Sequence, residues 1–325
     1  MRFGWRHKPM RLTWLTGLLL AGMLSVAGHA AHAQDAPAAP SDTLANAAPD
    51  SVVADDGTTL IPFPVIFYQP ETGLGFGASV LMYYRFNPAD TVSPPSSVAP
   101  IALYTTKNQI ILGAFSEMYF DQNRWRITSN AGYSKFPNKF WGIGNDTPDD
   151  AEEDYTPITV QLLAWPQKRV AEGWFAGFGA TFISRRISEL EEGGLLDSGL
   201  VPGSDDGQVL GFRGSLVRDT RSSTVYPRRG GYHQLLFDGY PKIWIADYGF
   251  ATYTLDLRGY LPVAGTHVLA LQALGVASSG DPPFDLLPQI GGDRLLRGYF
   301  QGRYRDRNLI AFQAEYRLPL FWRVG

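Results

Sequence analysis

The sequence predicts an all-β fold: an antiparallel transmembrane up-and-down β-barrel with about twelve strands in this chain. Three observations predict it. Apolar residues recur with period two along most of the chain. Many of the alternating segments reach ten residues or more, the length a tilted strand needs to cross a bilayer, against about 5–6 in soluble sheets. The connections fall alternately into a short set and a long set. No stretch after residue 34 offers about 18 consecutive apolar residues, which excludes a helical span.

The chain opens with a targeting segment. Arg2, Arg6, Lys8 and Arg11 precede an apolar run from Leu12 to Gly28, and Ala31-His32-Ala33 closes it with a small-x-small cleavage pattern. Residues 1–33 therefore read as a signal peptide and 34–57, rich in Ala, Pro, Asp and Ser, as a disordered linker. The net charge of −3 becomes −7 without the leader, because 24 basic residues then face 31 acidic ones. An acidic body without basic runs excludes a nucleic-acid partner. The absence of Cys removes thiol catalysis, thiolate zinc sites and disulfides.

The strands follow in order: 58–68, 73–86, 98–106, 109–120, 124–134, 156–166, 173–184, 208–218, 231–239, 248–261, 267–278 and 308–318. In 73–86, Leu74, Phe76, Ala78, Val80, Met82, Tyr84 and Phe86 share a face, and Gly73, Gly75, Gly77 and Ser79 begin the other. In 248–261, Ala251, Tyr253, Leu255, Leu257 and Leu261 oppose Thr252, Thr254, Asp256 and Arg258. The last strand sets Ile310, Phe312, Ala314, Tyr316 and Leu318 against Gln313, Glu315 and Arg317. The connections 87–97, 121–123, 166–173, 219–230 and 262–266 are short, whereas 135–155, 185–207 and 279–307 are 21, 23 and 29 residues long. Two short connections, 69–72 and 106–108, fall on the long-loop side. Short turns at one rim and long loops at the other are the pattern of an outer-membrane barrel. Tyr83, Tyr84, Tyr119, Trp125, Trp165 and Trp174, near strand ends, suit either interfacial girdles or ordinary cross-strand packing.

Three patterns carry a family resemblance. Gly291 to Tyr299 contains Arg297-Gly298-Tyr299; Asp219-Thr220-Arg221 is followed by Pro227-Arg228-Arg229-Gly230; and Phe312-Gln313-Ala314-Glu315-Tyr316-Arg317 forms the strand after the long loop. In this order they resemble the bacterial surface antigen family, the outer-membrane assembly factors and two-partner-secretion transporters of the BamA/TamA type, over residues 58–325. The resemblance implies a sixteen-stranded barrel with an Arg-Gly-Tyr loop folded inward between strands eleven and twelve. It also implies an acidic residue holding the loop arginine. On that reading the barrel domain 58–325 is incomplete at its C-terminal end, and periplasmic domains before the barrel are absent. Alternatively, the twelve strands close among themselves. The partners implied are outer-membrane lipids including lipopolysaccharide, and unfolded or secreted client proteins.

Read from chemistry alone, Arg297 offers five fixed donors to a carboxylate, and Glu315, with Arg317 beside it, lies on the inward register of the last strand. Gly298 lets the loop turn or approach the wall closely. The expectation is that Arg297 is bound inside the barrel and fixes the loop. Asp219 and Arg221 either clamp the 219–230 turn or are solvated turn residues. The acidic groups Asp146, Asp149, Asp150, Glu152, Glu153 and Asp154, and Glu189, Glu191 and Glu192, read as solvated loop tips more readily than as Ca²⁺ or Mg²⁺ ligands. After the leader only His233 and His267 remain, on separate strands, and no nucleophile elbow, P-loop or zinc helix occurs. The chain therefore reads as non-enzymatic and without cofactors. Of three classes, a surface-antigen-type barrel that assists insertion or translocation ranks first, a passive pore or structural surface barrel second, and a lipid-modifying enzyme third.

Overall fold

The computed structural model describes the backbone of Val52–Val53 and residues 58–69, 71–223, 226–292 and 294–318. The expected signal peptide, residues 1–33, and most of the expected linker, residues 34–57, lie outside the described residues.

Twelve long strands form one antiparallel sheet in chain order. They are β1 (Thr59–Gln69), β2 (Gly73–Tyr84), β3 (Ser96–Thr105), β4 (Ile110–Phe120), β5 (Trp125–Lys135) and β6 (Glu153–Ala171). The second half comprises β7 (Trp174–Leu190), β8 (Gly207–Asp219), β9 (Gly230–Tyr240), β10 (Phe250–Pro262), β11 (Val268–Gly280) and β12 (Asn308–Arg317). Each pairs with its neighbour in sequence, as the alternation predicts. Short segments add to this frame: Val52–Val53 flanks β1, Asn138–Phe140 pairs with the start of β6, and Gln289–Ile290 pairs with Tyr304–Arg305. Among the described residues no pairing joins β12 to β1.

Two strands outrun their expected bounds. β6 has 19 residues and β7 has 17, because the two continue to pair with each other as far as Tyr155 and Leu190. The predicted long loops shrink accordingly. The prolines sit where the ladder can spare a donor. The β2–β3 pairing skips between Ser79↔Ile101 and Met82↔Val98, beside Pro100. The β6–β7 register shifts at Thr156/Pro157 and skips around Pro166, between Ala164↔Ala180 and Gln167↔Gly177. Pro62 and Pro64 lie at alternate positions of β1, which nevertheless keeps an unbroken register with β2 from Thr59 to Gln69.

The two faces differ as the sequence pattern requires. One presents exposed apolar side chains: Leu74 and Phe76, Leu162, Phe178, Phe212, Leu235, Tyr253, Leu255 and Leu257, and Phe312. The other is packed. Val65, Ile101, Leu103 and Ile111 form one buried cluster, and Leu163, Trp165, Phe175, Val217, Tyr232 and Leu236 another. Within this interior the guanidinium of Arg213, 0% exposed, donates to both carboxylate oxygens of Asp238 on the adjacent strand, at 2.6 and 3.0 Å. Two buried charges are tolerated because each satisfies the other in a bidentate pair. The aromatic residues expected at strand ends divide between the faces. Trp125 and Trp174 are exposed, whereas Trp165 is buried and bonded to Ser215 Oγ at 2.9 Å, and Tyr119 donates to Glu117 beside Arg126. Trp165 and Tyr119 thus belong to interior packing, not to a girdle.

Candidate functional site: a loop anchored in the barrel mouth

Strand direction places the turns 121–124, 172–173, 220–229 and 263–267 at one rim and the loops 136–152, 191–206 and 281–307 at the other. The loop 281–307 is the longest, and it folds back onto the sheet.

Its first half is fixed by buried contacts. Gly280 ends β11 at φ +80°, and a Cβ there would lie 2.5 Å from Gly249 O, so the exit from the strand demands glycine. A 3₁₀ turn, Phe284–Leu286, follows. Phe284 is buried between Phe140 and Tyr155, with ring centroids 5.0 and 5.2 Å away, and its N–H donates to Pro202 O at 2.8 Å. Asp285 accepts from Nε of the buried Arg185 of β7 at 2.6 Å. This ion pair ties the loop to the wall.

The returning half is held by two arginines. Arg305 is 1% exposed; its guanidinium lies beside the rings of Phe140 and Phe284, 5.0 and 5.4 Å away, and donates to the carbonyls of Gly302 and Lys139 at 3.2 and 3.4 Å. Its own carbonyl accepts from Gly144 N at 2.8 Å. Arg303 donates to Thr147 Oγ1 at 2.7 Å and to Asp149 at 2.6 Å, between Trp141 and Tyr304. Gln301 N donates to Glu71 Oε1 in the β1–β2 turn at 3.1 Å, and Gln109 Nε2 donates to Glu71 O at 3.0 Å. The loop therefore bridges the mouth from β11 to the β1–β2 turn.

The tip descends along the inner face of the last strands, where Ile290 and Leu295 pack against Leu274, Val276 and Leu309. Here the expectation for Arg297 needs correction. Leu296 to Tyr299 are exposed, and Glu315 takes Arg317 as its direct partner at 2.8 Å. Arg297 acts on Glu315 only as a more distant charge. The anchoring role falls instead to Arg303, Arg305 and the Arg185–Asp285 pair, because the loop's two legs, not its tip, meet the aromatic residues and carbonyls of the mouth. Gly298 has φ +110° and nothing within 4 Å of a Cβ position, so it serves a turn and not a close approach.

At the opposite rim Asp219 and Arg221 form a clamp. Arg221 donates from its side chain to both carboxylate oxygens at 2.9 and 2.8 Å and from its backbone to Oδ1 at 3.2 Å, with its guanidinium 4.5 Å from the Tyr232 ring. Thr220 exchanges backbone and hydroxyl hydrogen bonds with Gly231, and Pro227 is buried beneath the turn. Gly230 stands at φ +94° with Thr220 O 2.0 Å from a Cβ position.

The acidic loop residues are used as staples. Lys139 pairs with Glu152 and Asp154, buried Glu153 accepts from Leu196 N at 3.1 Å, and Glu189 bonds Thr156 at 2.8 Å and Lys135 at 3.4 Å. Among the described residues no three acidic or histidine side chains are placed to hold a metal ion. The segment around Phe140 and Trp141, without a sequence-derived chemistry, is the buried floor on which the loop rests. Sequence reasoning passed over Arg303 and Arg305; the aromatic residues that receive them, Phe140, Trp141 and Phe284, were the available signal.

No protein-family model matches the chain, and no curated protein matches it. In fold it is similar to a number of solved structures, of which two serve as examples. One is BamA from Haemophilus ducreyi lacking POTRA domains 1–3, with a TM-score of 0.53 and 16% identity over 75% of this chain and 46% of that one. The other is CdiB from Escherichia coli, with a TM-score of 0.51 and 10% identity over 81% of this chain and 49% of that one. The chain spans about half the length of each. At such identities the likeness is one of fold alone.

Proposed function

We propose that this chain is an integral protein of the bacterial outer membrane, of the surface antigen type, and that it assists the insertion or translocation of other proteins there. The observation that carries the reading is the division between the two faces of the sheet. On β5 the outward row begins at Trp125 and ends at Lys135, ten residue steps later. At about 3.3 Å per residue and a tilt near 40°, that is roughly 25 Å, the height of an outer-membrane apolar band. In hydrocarbon each backbone donor and acceptor needs a protein partner, and the continuous ladder from β1 to β12 supplies them for the strands between its two ends.

A client-handling role is supported by the likeness in fold to BamA. The packed interior and bridged mouth count against a wide passive pore. The protein is read as non-enzymatic; His233 is on the outward register and His267 bonds Tyr316 at 2.7 Å. Lipids of both leaflets, including lipopolysaccharide, and unfolded or secreted proteins are the proposed partners. The test is reconstitution: vesicles carrying the protein should speed the folding of a urea-unfolded outer-membrane barrel over empty vesicles. Equal folding rates, with large steady conductance in planar bilayers, would replace the role by that of a pore.

A further inference from the structure

The outward face at the short-turn rim carries basic and aromatic side chains below a largely apolar band. Lys168 is the cross-strand partner of Trp125, with Nζ 5.3 Å from the indole. Arg218 is the partner of Trp174 on one side and of His233 on the other, with its guanidinium 5.6 Å from the Trp174 ring. Lys168, Arg218 and both tryptophans are exposed, and His233 Nδ1 is buried without a hydrogen-bond partner. Nearby carboxylates are engaged elsewhere: Asp121 pairs with Arg124, and Asp219 is clamped inward by Arg221. Glu172, in the β6–β7 turn, is the remaining acidic neighbour in sequence.

We infer that the row Trp125–Lys168–Trp174–Arg218 binds the phosphate headgroups of anionic phospholipids in the leaflet at the short-turn rim. The inference rests on the membrane reading given above. The tryptophan rings sit at headgroup depth and hold the two cations over their faces, so the charges are pre-positioned at the membrane surface while their stems stay against the apolar wall. A zwitterionic headgroup offers the same phosphate but brings its own ammonium to the site. The row therefore selects anionic lipid by charge. At the other rim the cations are differently placed: Arg186 is exposed near the end of β7, and Lys135 is paired with Glu189 at 3.4 Å, which leaves less net charge for a headgroup.

The test is native mass spectrometry of the detergent-solubilised full chain offered equal amounts of phosphatidylglycerol and phosphatidylcholine. The wild type should retain phosphatidylglycerol preferentially. Lys168→Gln/Arg218→Gln should cut that preference by on the order of tenfold, and Lys135→Gln/Arg186→Gln should leave it in place. Should the double variant not fold, each single substitution is expected to lose a share of the preference. Equal retention of the two lipids by wild type, or equal loss from both rims, overturns the site. A chain that stays monodisperse without detergent fails the membrane reading instead, before any lipid is added.

Discussion

The legs and the tip of the 281–307 loop carry arginines in opposite circumstances. Arg303 and Arg305 are buried against rings and carbonyls of the mouth, whereas Arg297 stands exposed beside an acidic residue already paired with Arg317. All three are equally cationic, and only the tip arginine sits in the motif that the sequence singles out. What separates them is the receiving surface. A buried guanidinium needs its donors filled and its charge compensated, so it fixes whatever carries it; an exposed one is screened and holds little.

Breaking the legs should have the largest effect. Asp285→Ala leaves the buried Arg185 guanidinium without its carboxylate, with an expected loss of about 3 kcal/mol, read as a lower urea midpoint in vesicles and rapid proteolysis of the loop. Arg305→Ala removes the hydrogen bonds to the Gly302 and Lys139 carbonyls and opens a hole between two rings, with an expected loss of about 2 kcal/mol and the same loop-specific cleavage. At the far rim, Gly230→Ala meets both a left-handed backbone and Thr220 O, with an expected loss of about 1–2 kcal/mol and no change in cleavage of the 281–307 loop. Arg297→Ala should shift the midpoint by no more than about 0.5 kcal/mol and leave loop cleavage unchanged; accelerated cleavage would restore the tip as the anchor.

The smallest effect is a local pH dependence. Asp90 is held down to about 2, chiefly by the Ser93 hydroxyl, with the backbone donors of Ser93, Gln122 and Val92 assisting. Its folded pKa lies below the ordinary carboxylate value, so its contribution is full above that ordinary range and is lost as pH falls through it toward about 2. The 121–124 turn, in which Asp121, Gln122 and Asn123 all have positive φ, leans on Asp90 and Ser93 through Gln122 N and Asn123 N. Amide exchange at Gln122 should accelerate in that pH window relative to Asp90→Asn, which should lack the dependence.

The strand map was legible because alternation over ten residues has few competing explanations. Leu255 and Thr254 announce opposite faces whatever surrounds them. The turn clamp was half legible: Asp219 and Arg221 stand two residues apart, but their pairing depends on Tyr232 and Gly231 closing over them. The anchor of the loop was not legible. Arg185 and Asp285 are 100 residues apart, and nothing local marks either as the other's partner. The inward turn of Trp165 was likewise hidden, because an aromatic residue near a strand end suits lipid and core equally until its face is known.

Which side of the sheet meets lipid decides the membrane reading. Because the chain has no Cys, a single spin label can be placed without ambiguity at Leu255→Cys or at its neighbour Thr254→Cys. In reconstituted bilayers the label at 255 should collide freely with oxygen and be shielded from a water-soluble nickel reagent, while the label at 254 should be immobile and shielded from both. Equal nickel accessibility at the two positions would contradict the assignment of the faces, and with it the membrane-spanning barrel.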